Sequence, residues 1–352
     1  MDFLNLGVHW PILQAPMAGV STPAMAAAVS EAGCLGALGL GASTVAAAKA
    51  AIDETRALTA RPFAVNMFCH APAQRDAARE KAWLARLAPL FREFSAQPPQ
   101  ALSEIYKSFL EDDAMLALLL AEKPALVSFH FGLPQAEKIA ALKGAGIALA
   151  ASATSLEEAR AIERAGLDAV IAQGIEAGGH RGVFDEDAPD DELATFALTR
   201  MLAKNLSIPV VAAGGIMDGA GIAAALKLGA AGAQLGTAFV ACPESSADAA
   251  YRAALLSGPG ETRMTRAVSG RPARCLDNRF ARWGAGVHAR DIPAYPVAYD
   301  AGKALNGAAK AAGEAGFGAQ WAGQGTAFAR ALPAGELAAL LIAQTREALN
   351  DA

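Results

Sequence analysis

Eight short runs of apolar residues, each bounded by glycine, proline or polar residues and each followed by an alanine-rich stretch of helical character, constrain what this chain can fold into. The runs are Ile12 to Met17, Leu35 to Leu40, Phe63 to Phe68, Ala125 to Phe131, Ile147 to Ala151, Ala169 to Gln173, Pro209 to Ala213 and Ala233 to Phe239. Strand alternating with helix is the pattern of parallel β/α units. Near-continuous hydrophobicity within each run marks strands covered on both faces. Eight such units predict an α/β fold, a closed (β/α)8 TIM barrel. An open doubly wound sheet would carry G-x-G-x-x-G after its first strand, where the chain instead reads Ala15-Pro16-Met17-Ala18-Gly19.

Two stretches fall outside the eightfold rhythm. Residues 70–124 are long enough for two or three helices where one is needed, and are read as a helical insertion. Residues 244–321 hold three of the four tyrosines and two of the four tryptophans. They are expected to form a smaller substrate-binding region over the C-terminal mouth, where pockets of this fold lie. The expected layout is therefore a barrel over 1–243, this lid over 244–321, and a segment 322–352 that returns to the barrel. Its closing amphipathic helix is placed at Leu332 to Leu349.

With 53% hydrophobic residues in 352, the chain can bury one large core. Thirty Lys and Arg against 35 Asp and Glu leave a net charge of -5, with no basic run, which argues against nucleic acid as a partner. Residues 3–30 carry no formal charge, but Pro11, Pro16 and Pro23 break any continuous helix there. Neither a signal peptide nor a membrane anchor is expected. Cys34, Cys69, Cys242 and Cys275 are too widely spaced for a zinc site or a disulfide framework, and no metal is expected. A cytoplasmic location fits that usage.

The seventh run leads into Gly214-Gly215-Ile216-Met217-Asp218-Gly219, and the eighth contains Gln234-Leu235-Gly236-Thr237. Glycine lets backbone N–H groups approach an anion, and a following helix N-terminus adds a favourable partial charge. The loops after strands 7 and 8 are the usual phosphate place of such barrels. Both turns together favour a phosphate-bearing ligand over ordinary tight turns. The sixth run ends in Gln173-Gly174-Ile175-Glu176-Ala177-Gly178-Gly179-His180-Arg181-Gly182, a glycine-rich loop that puts a proton-exchanging imidazole where barrel catalysis takes place.

That loop, together with Ala15 to Gly19, Ala212-Ala213-Gly214-Gly215-Ile216 and Gln234 to Phe239, resembles the nitronate monooxygenase family, formerly called 2-nitropropane dioxygenases. Ser128 to Pro134, Ser269-Gly270-Arg271-Pro272-Ala273-Arg274 and Trp321-Ala322-Gly323-Gln324-Gly325 also resemble its class I members, so the likeness spans nearly the whole chain. The resemblance implies non-covalent FMN at the barrel mouth. Its phosphate would lie against Gly214, Gly215 and the segment Gln234, Leu235, Gly236 and Thr237. Asn66, Gln173, Gly178 and Gly179 would touch the ring or ribityl chain, and the backbone of Ala15, Pro16, Met17 and Ala18 would pass beside the isoalloxazine.

The implied reaction oxidises alkyl nitronates, such as propionate 3-nitronate, with O2 to a carbonyl compound and nitrite. His180 would be base or donor, while Tyr106, Tyr251, Tyr295 and Lys303 match substrate-pocket positions and His130 would contact flavin or substrate. Small nitronates or nitroalkanes are thus the expected partners of a monomer or homodimer. His9, His70 and His288 have no motif context. The alternative is an NAD(P)H-dependent FMN reductase of the enoyl-acyl carrier or quinone type, which shares the Gly-Gly-His loop. A flavin-binding protein without catalysis would not need proton-active groups facing the ring.

Overall fold

The computed structural model describes residues 3–257 and 260–350. Its main sheet contains β1 (Ile12–Gln14), β2 (Gly36–Gly39), β3 (Phe63–Phe68), β4 (Leu126–His130), β5 (Ala148–Ala153) and β6 (Ala169–Gln173). The two-residue β7 (Gly179–His180) lies outside that sheet, which continues with β8 (Val210–Ala213) and β9 (Gly232–Leu235). The eight strands are all parallel, and β9 pairs with β1. Closure between β1 and β2 is made by a bridge from Leu13 to Leu35, with the Gln14 N–H 2.9 Å from the Leu35 carbonyl. The chain is an α/β protein of TIM-barrel type, as the eight runs predict.

Strand parity sorts the residues. Val65, Val127, Leu149, Val170 and Val210 face the surrounding helices, while Ala64, Leu126, Ala150, Ala169 and Val211 fill the barrel interior. Full burial of an aromatic such as Phe129, between strand and helix, contributes about 1.5–3 kcal/mol.

Two runs stop well short of expectation. The first stops at Gln14, because Pro16 has no N–H to continue the ladder; the Ala15 N–H to the Leu235 carbonyl, 2.8 Å, is its last bond there. The eighth stops at Leu235, and Ala238 and Phe239 belong to a short helix, Thr237–Val240, packed in the core. An unbroken apolar run reads the same for a buried strand and a buried helical turn.

The stretch after β3 divides its helices. Asp113–Glu122 packs in the barrel's helical layer through Met115, Leu118 and Leu119. Ala77–Glu93 instead buries Trp83, Leu87 and Phe91 in a second core with Val268, Phe280, Val297 and Phe317. In that region β10 (Thr262–Thr265) pairs with β11 (Ala273–Leu276), and β11 pairs with β7, all antiparallel. The last helix, Ala334–Asn350, seats on Gly219–Lys227 and Pro23–Glu31; a Cβ on Gly219 would lie 2.3 Å from Gln344. Among the described residues no helix is long and apolar enough to cross a membrane, and no group of three or more His, Cys, Asp or Glu could hold a metal.

Candidate active site

The parity that turns Ala64, Leu126, Ala150 and Ile171 into the barrel also turns in the residues two further along. These are Asn66, Ser128, Ser152 and Gln173, a polar rim at the C-terminal mouth of an otherwise apolar interior. They line a cavity of about 570 Å³, a size suited to a cofactor together with a small substrate.

Glycine geometry shapes one end. Gly214 and Gly215 have φ of +122° and +71°, and the N–H groups of Gly215, Ile216, Gly236 and Thr237 meet no protein acceptor among the described residues. Converging unpaired N–H groups form a concavity for an anion. The neighbouring helix Gly219–Lys227 contributes less than its sequence position suggests, because Asp218 already caps it, accepting from the Gly221 N–H at 2.9 Å. Glu176, the nearby loop carboxylate, is turned to the Thr195 N–H and hydroxyl, at 2.7 and 2.8 Å, and does not line the cavity.

A backbone floor is braced from the opposite side. The Met17 N–H donates to the Ser21 hydroxyl at 2.9 Å, and Gln14 donates to the same oxygen at 2.8 Å. Ala15, Pro16, Met17 and Ala18 are thereby held along the cavity wall. Asn66 spends its amide N–H on Ser128, at 2.9 and 3.1 Å, which leaves its carbonyl oxygen for a ligand. These features fit an anionic group at one end and a flat polar ring along the floor.

The imidazole of His180 lies against the rings of Phe131, Tyr295, Tyr299 and Trp321, with centroids 5.0–6.1 Å away. The pairing of Ala273 with His180 fixes its backbone. Its Nε2 meets the Ser269 hydroxyl at 2.8 Å, while Nδ1 meets no protein group among the described residues and is open to the cavity. Burial, then the neighbouring His130, Arg271 and His70, hold its pKa well below the usual histidine range. The resting ring is therefore neutral.

His130 differs. Its Nδ1 meets Ser152 Oγ at 2.8 Å and its Nε2 meets the His180 carbonyl at 3.2 Å, so both ring nitrogens are committed to the protein. Gln173 is likewise a brace: its amide donates to the His180 carbonyl at 2.9 Å and accepts from the Gly182 N–H at 2.7 Å.

The far wall is aromatic. Lys303 Nζ stands 4.8 Å from the Tyr106 ring centre and 5.3 Å from that of Tyr299. Burial pulls its pKa down, partly offset by Asp300. Burial pushes the Tyr299 hydroxyl up to about 12, and raises Tyr106, Tyr251 and Tyr295 as well, so all four phenols are neutral donors. Tyr251 spends its hydroxyl on the Trp321 carbonyl. Tyr295 Oη is buried without a protein partner among the described residues.

Of the residues singled out from sequence, Leu235 alone is not brought to the cavity; it is 1% exposed in the apolar layer behind the turn. Gly178, Gly179, Gly236, Thr237 and Gln234 do line it, as do Tyr106, His130, Tyr251, Tyr295 and Lys303. Sequence reasoning gave no site role to Tyr299 or Ser152, nor to Trp321 and Ser269, which it quoted only within motifs, nor to His70. Tyr299 had a local signal: it stands four residues before Lys303 on the helix Val297–Ala311, hence on the same face. His70 packs edge-on to Tyr295 at 5.0 Å, with neither nitrogen well hydrogen-bonded.

Comparison with known proteins places this arrangement. The family model described as nitronate monooxygenase matches residues 4–344. A protein named nitronate monooxygenase from Paraburkholderia phytofirmans is 62% identical over 98% of this chain and 94% of its own length. Another of that name from Pseudomonas aeruginosa is 56% identical over 97% of each. Among solved structures, nitroalkane oxidase from Streptomyces ansochromogenes superposes with a TM-score of 0.89 at 43% identity, covering 99% of both chains. FabK from Thermotoga maritima superposes with 0.76 at 31% identity, over 99% of this chain and 97% of that one. With a family model covering nearly the whole length and relatives this similar over nearly all of theirs, the chain belongs to the nitronate monooxygenase family of oxidoreductases.

Proposed function

We propose that this protein is an FMN-dependent nitronate monooxygenase that converts alkyl nitronates and O2 to a carbonyl compound and nitrite. One observation carries the reading: among the described residues, a cavity with unpaired N–H groups at its glycine end presents a single open histidine nitrogen, Nδ1 of His180. Bound FMN would supply the redox chemistry with the nitronate and oxygen. The phosphate would be held by the Gly215, Ile216, Gly236 and Thr237 amides, and the ring by Asn66 and the backbone from Ala15 to Ala18.

The protein's own part is binding and proton control. His180, neutral at rest, takes the proton from the carbon next to a nitro group, or holds an already ionised substrate when it is protonated. The neutral phenols of Tyr106, Tyr295 and Tyr299 and the ammonium of Lys303 receive the anion and any carboxylate it carries. The rings around His180 exclude water from this step. The same proposal gives residues 244–321 substrate selection over a barrel of 1–243, with 322–352 returning to it. A monomer or homodimer in the cytoplasm is part of it, consistent with four buried, free cysteines.

The test is anaerobic mixing of the purified yellow protein with propionate 3-nitronate and, separately, with NADH. Bleaching or a change of flavin spectrum with the nitronate alone is expected. Rapid reduction by NADH with no response to the nitronate would move the assignment to the reductases.

A further inference from the structure

We infer that Ser269 is a positioning residue for His180: its hydroxyl holds the imidazole as the Nε2–H tautomer and so makes Nδ1 the proton acceptor that faces the cavity. This rests on His180 being the base of the proposed reaction. Ser269 is 1% exposed, does not line the cavity and lies behind the ring, 2.8 Å from Nε2. It has one proton to give. Among the described residues the only donor within reach of the Arg271 carbonyl is that hydroxyl, at 3.4 Å. Arg271 is buried, and leaving a buried carbonyl without a donor is unfavourable. The Ser269 proton is therefore directed to Arg271, its lone pair faces the ring, and Nε2 must carry the hydrogen. A neutral imidazole protonated on Nε2 has its lone pair on Nδ1.

The serine is itself fixed. The Gly270 N–H and Ser269 N–H both turn back to the Arg266 carbonyl, at 2.8 and 3.3 Å. Gly270 has φ of +102°, and a Cβ there would lie 2.7 Å from the Tyr295 nitrogen, so the turn is wedged against the aromatic wall. In the step this prepares, the C–H bond beside the nitro group breaks, its proton goes to Nδ1 and its electron pair passes into the nitro group. The products are a nitronate and an imidazolium, whose Nε2–H still donates to Ser269. The opposite tautomer would present an N–H to the substrate carbon and could not accept.

The experiment uses the FMN-loaded enzyme. Ser269→Ala is expected to lower kcat/KM for neutral nitroethane by roughly 5- to 100-fold, the worth of one buried hydrogen bond. Preformed ethyl nitronate should lose less, and Ser269→Thr, which keeps a hydroxyl, should recover turnover toward the parent. In 15N-histidine spectra of the unaltered protein, with His180 identified by its absence in His180→Asn, the ring should be protonated on Nε2. Protonation on Nδ1 overturns the inference even where the alanine variant fails to fold. If His180→Asn abolishes nitroethane turnover while Ser269→Ala leaves it intact, the inference falls and the base assignment stands. If His180→Asn has no effect, the proposed reaction at this site falls with it.

Discussion

His130 supports His180 through the backbone: Nε2 of the first lies 3.2 Å from the carbonyl oxygen of the second. A carbonyl only accepts, so Nε2 of His130 must carry a proton, and its Nδ1 accepts from Ser152. With Gln173 donating to the same oxygen, the loop that carries His180 is held by two donors, one from β4 and one from β6.

That commitment has an acid cost. Burial, partly offset by the bond to the His180 carbonyl, lowers His130 to about 4 from 6.5. Between those values the unfolded chain binds a proton that the folded site refuses, so stability falls as pH drops through the window, by up to about 3 kcal/mol. His130→Gln should be less stable at pH 7 yet lose less on going to pH 4.5. Urea unfolding at both pH values checks this, and equal losses in the two proteins would refute it.

His180→Ala should keep FMN, since no phosphate-facing amide is altered, and lose roughly 10²- to 10⁴-fold in turnover of neutral nitroalkanes. Preformed nitronates, which need no deprotonation, should lose far less. Because the His180 pKa is depressed, kcat/KM of the parent for nitroethane should stay level as pH falls from 8 through 6.5, and decline only below that. A decline centred at 6.5 or above would contradict the geometry around the ring.

Lys303→Met keeps a long unbranched side chain beside Tyr106 and Tyr299 while removing the charge that stands over their rings. A charge-assisted bond contributes about 1.5–3 kcal/mol, so kcat/KM for propionate 3-nitronate should fall roughly 10- to 100-fold. Ethyl nitronate, which has no carboxylate, should be affected less; parallel losses would remove the lysine from carboxylate recognition.

Gly215→Ala places a side chain at φ of +71° and 3.2 Å from the Glu176 Cβ. Left-handed backbone costs a non-glycine residue about 1–2 kcal/mol, so FMN affinity of the apoprotein should weaken roughly tenfold. Riboflavin, lacking the phosphate, should be affected less in fluorescence titrations. Equal weakening of both would place the anion elsewhere.

The barrel was readable from the chain because strand, helix and turn are local matters. Continuous apolar runs specify doubly covered strands, and Gly214-Gly215 specifies backbone that other residues adopt only with strain. The same locality explains the boundary misread at Leu235, where a strand and a buried helical turn share one apolar run. The placement of His180 in a glycine-rich loop was also legible, but not its pairing with Ala273, 93 positions away in the chain.

What the tertiary structure alone decided is which atoms are free to act. Sequence puts both His130 and His180 at the mouth, with His180 as the proton-exchanging candidate; only packing commits both nitrogens of the first and leaves one of the second open. Ser269, Trp321 and Tyr299 reach that ring from segments 89 to 141 residues further along the chain. Hydrogen-bond partners across such distances are chosen by how sheets and helices dock, and no periodicity within a segment records them.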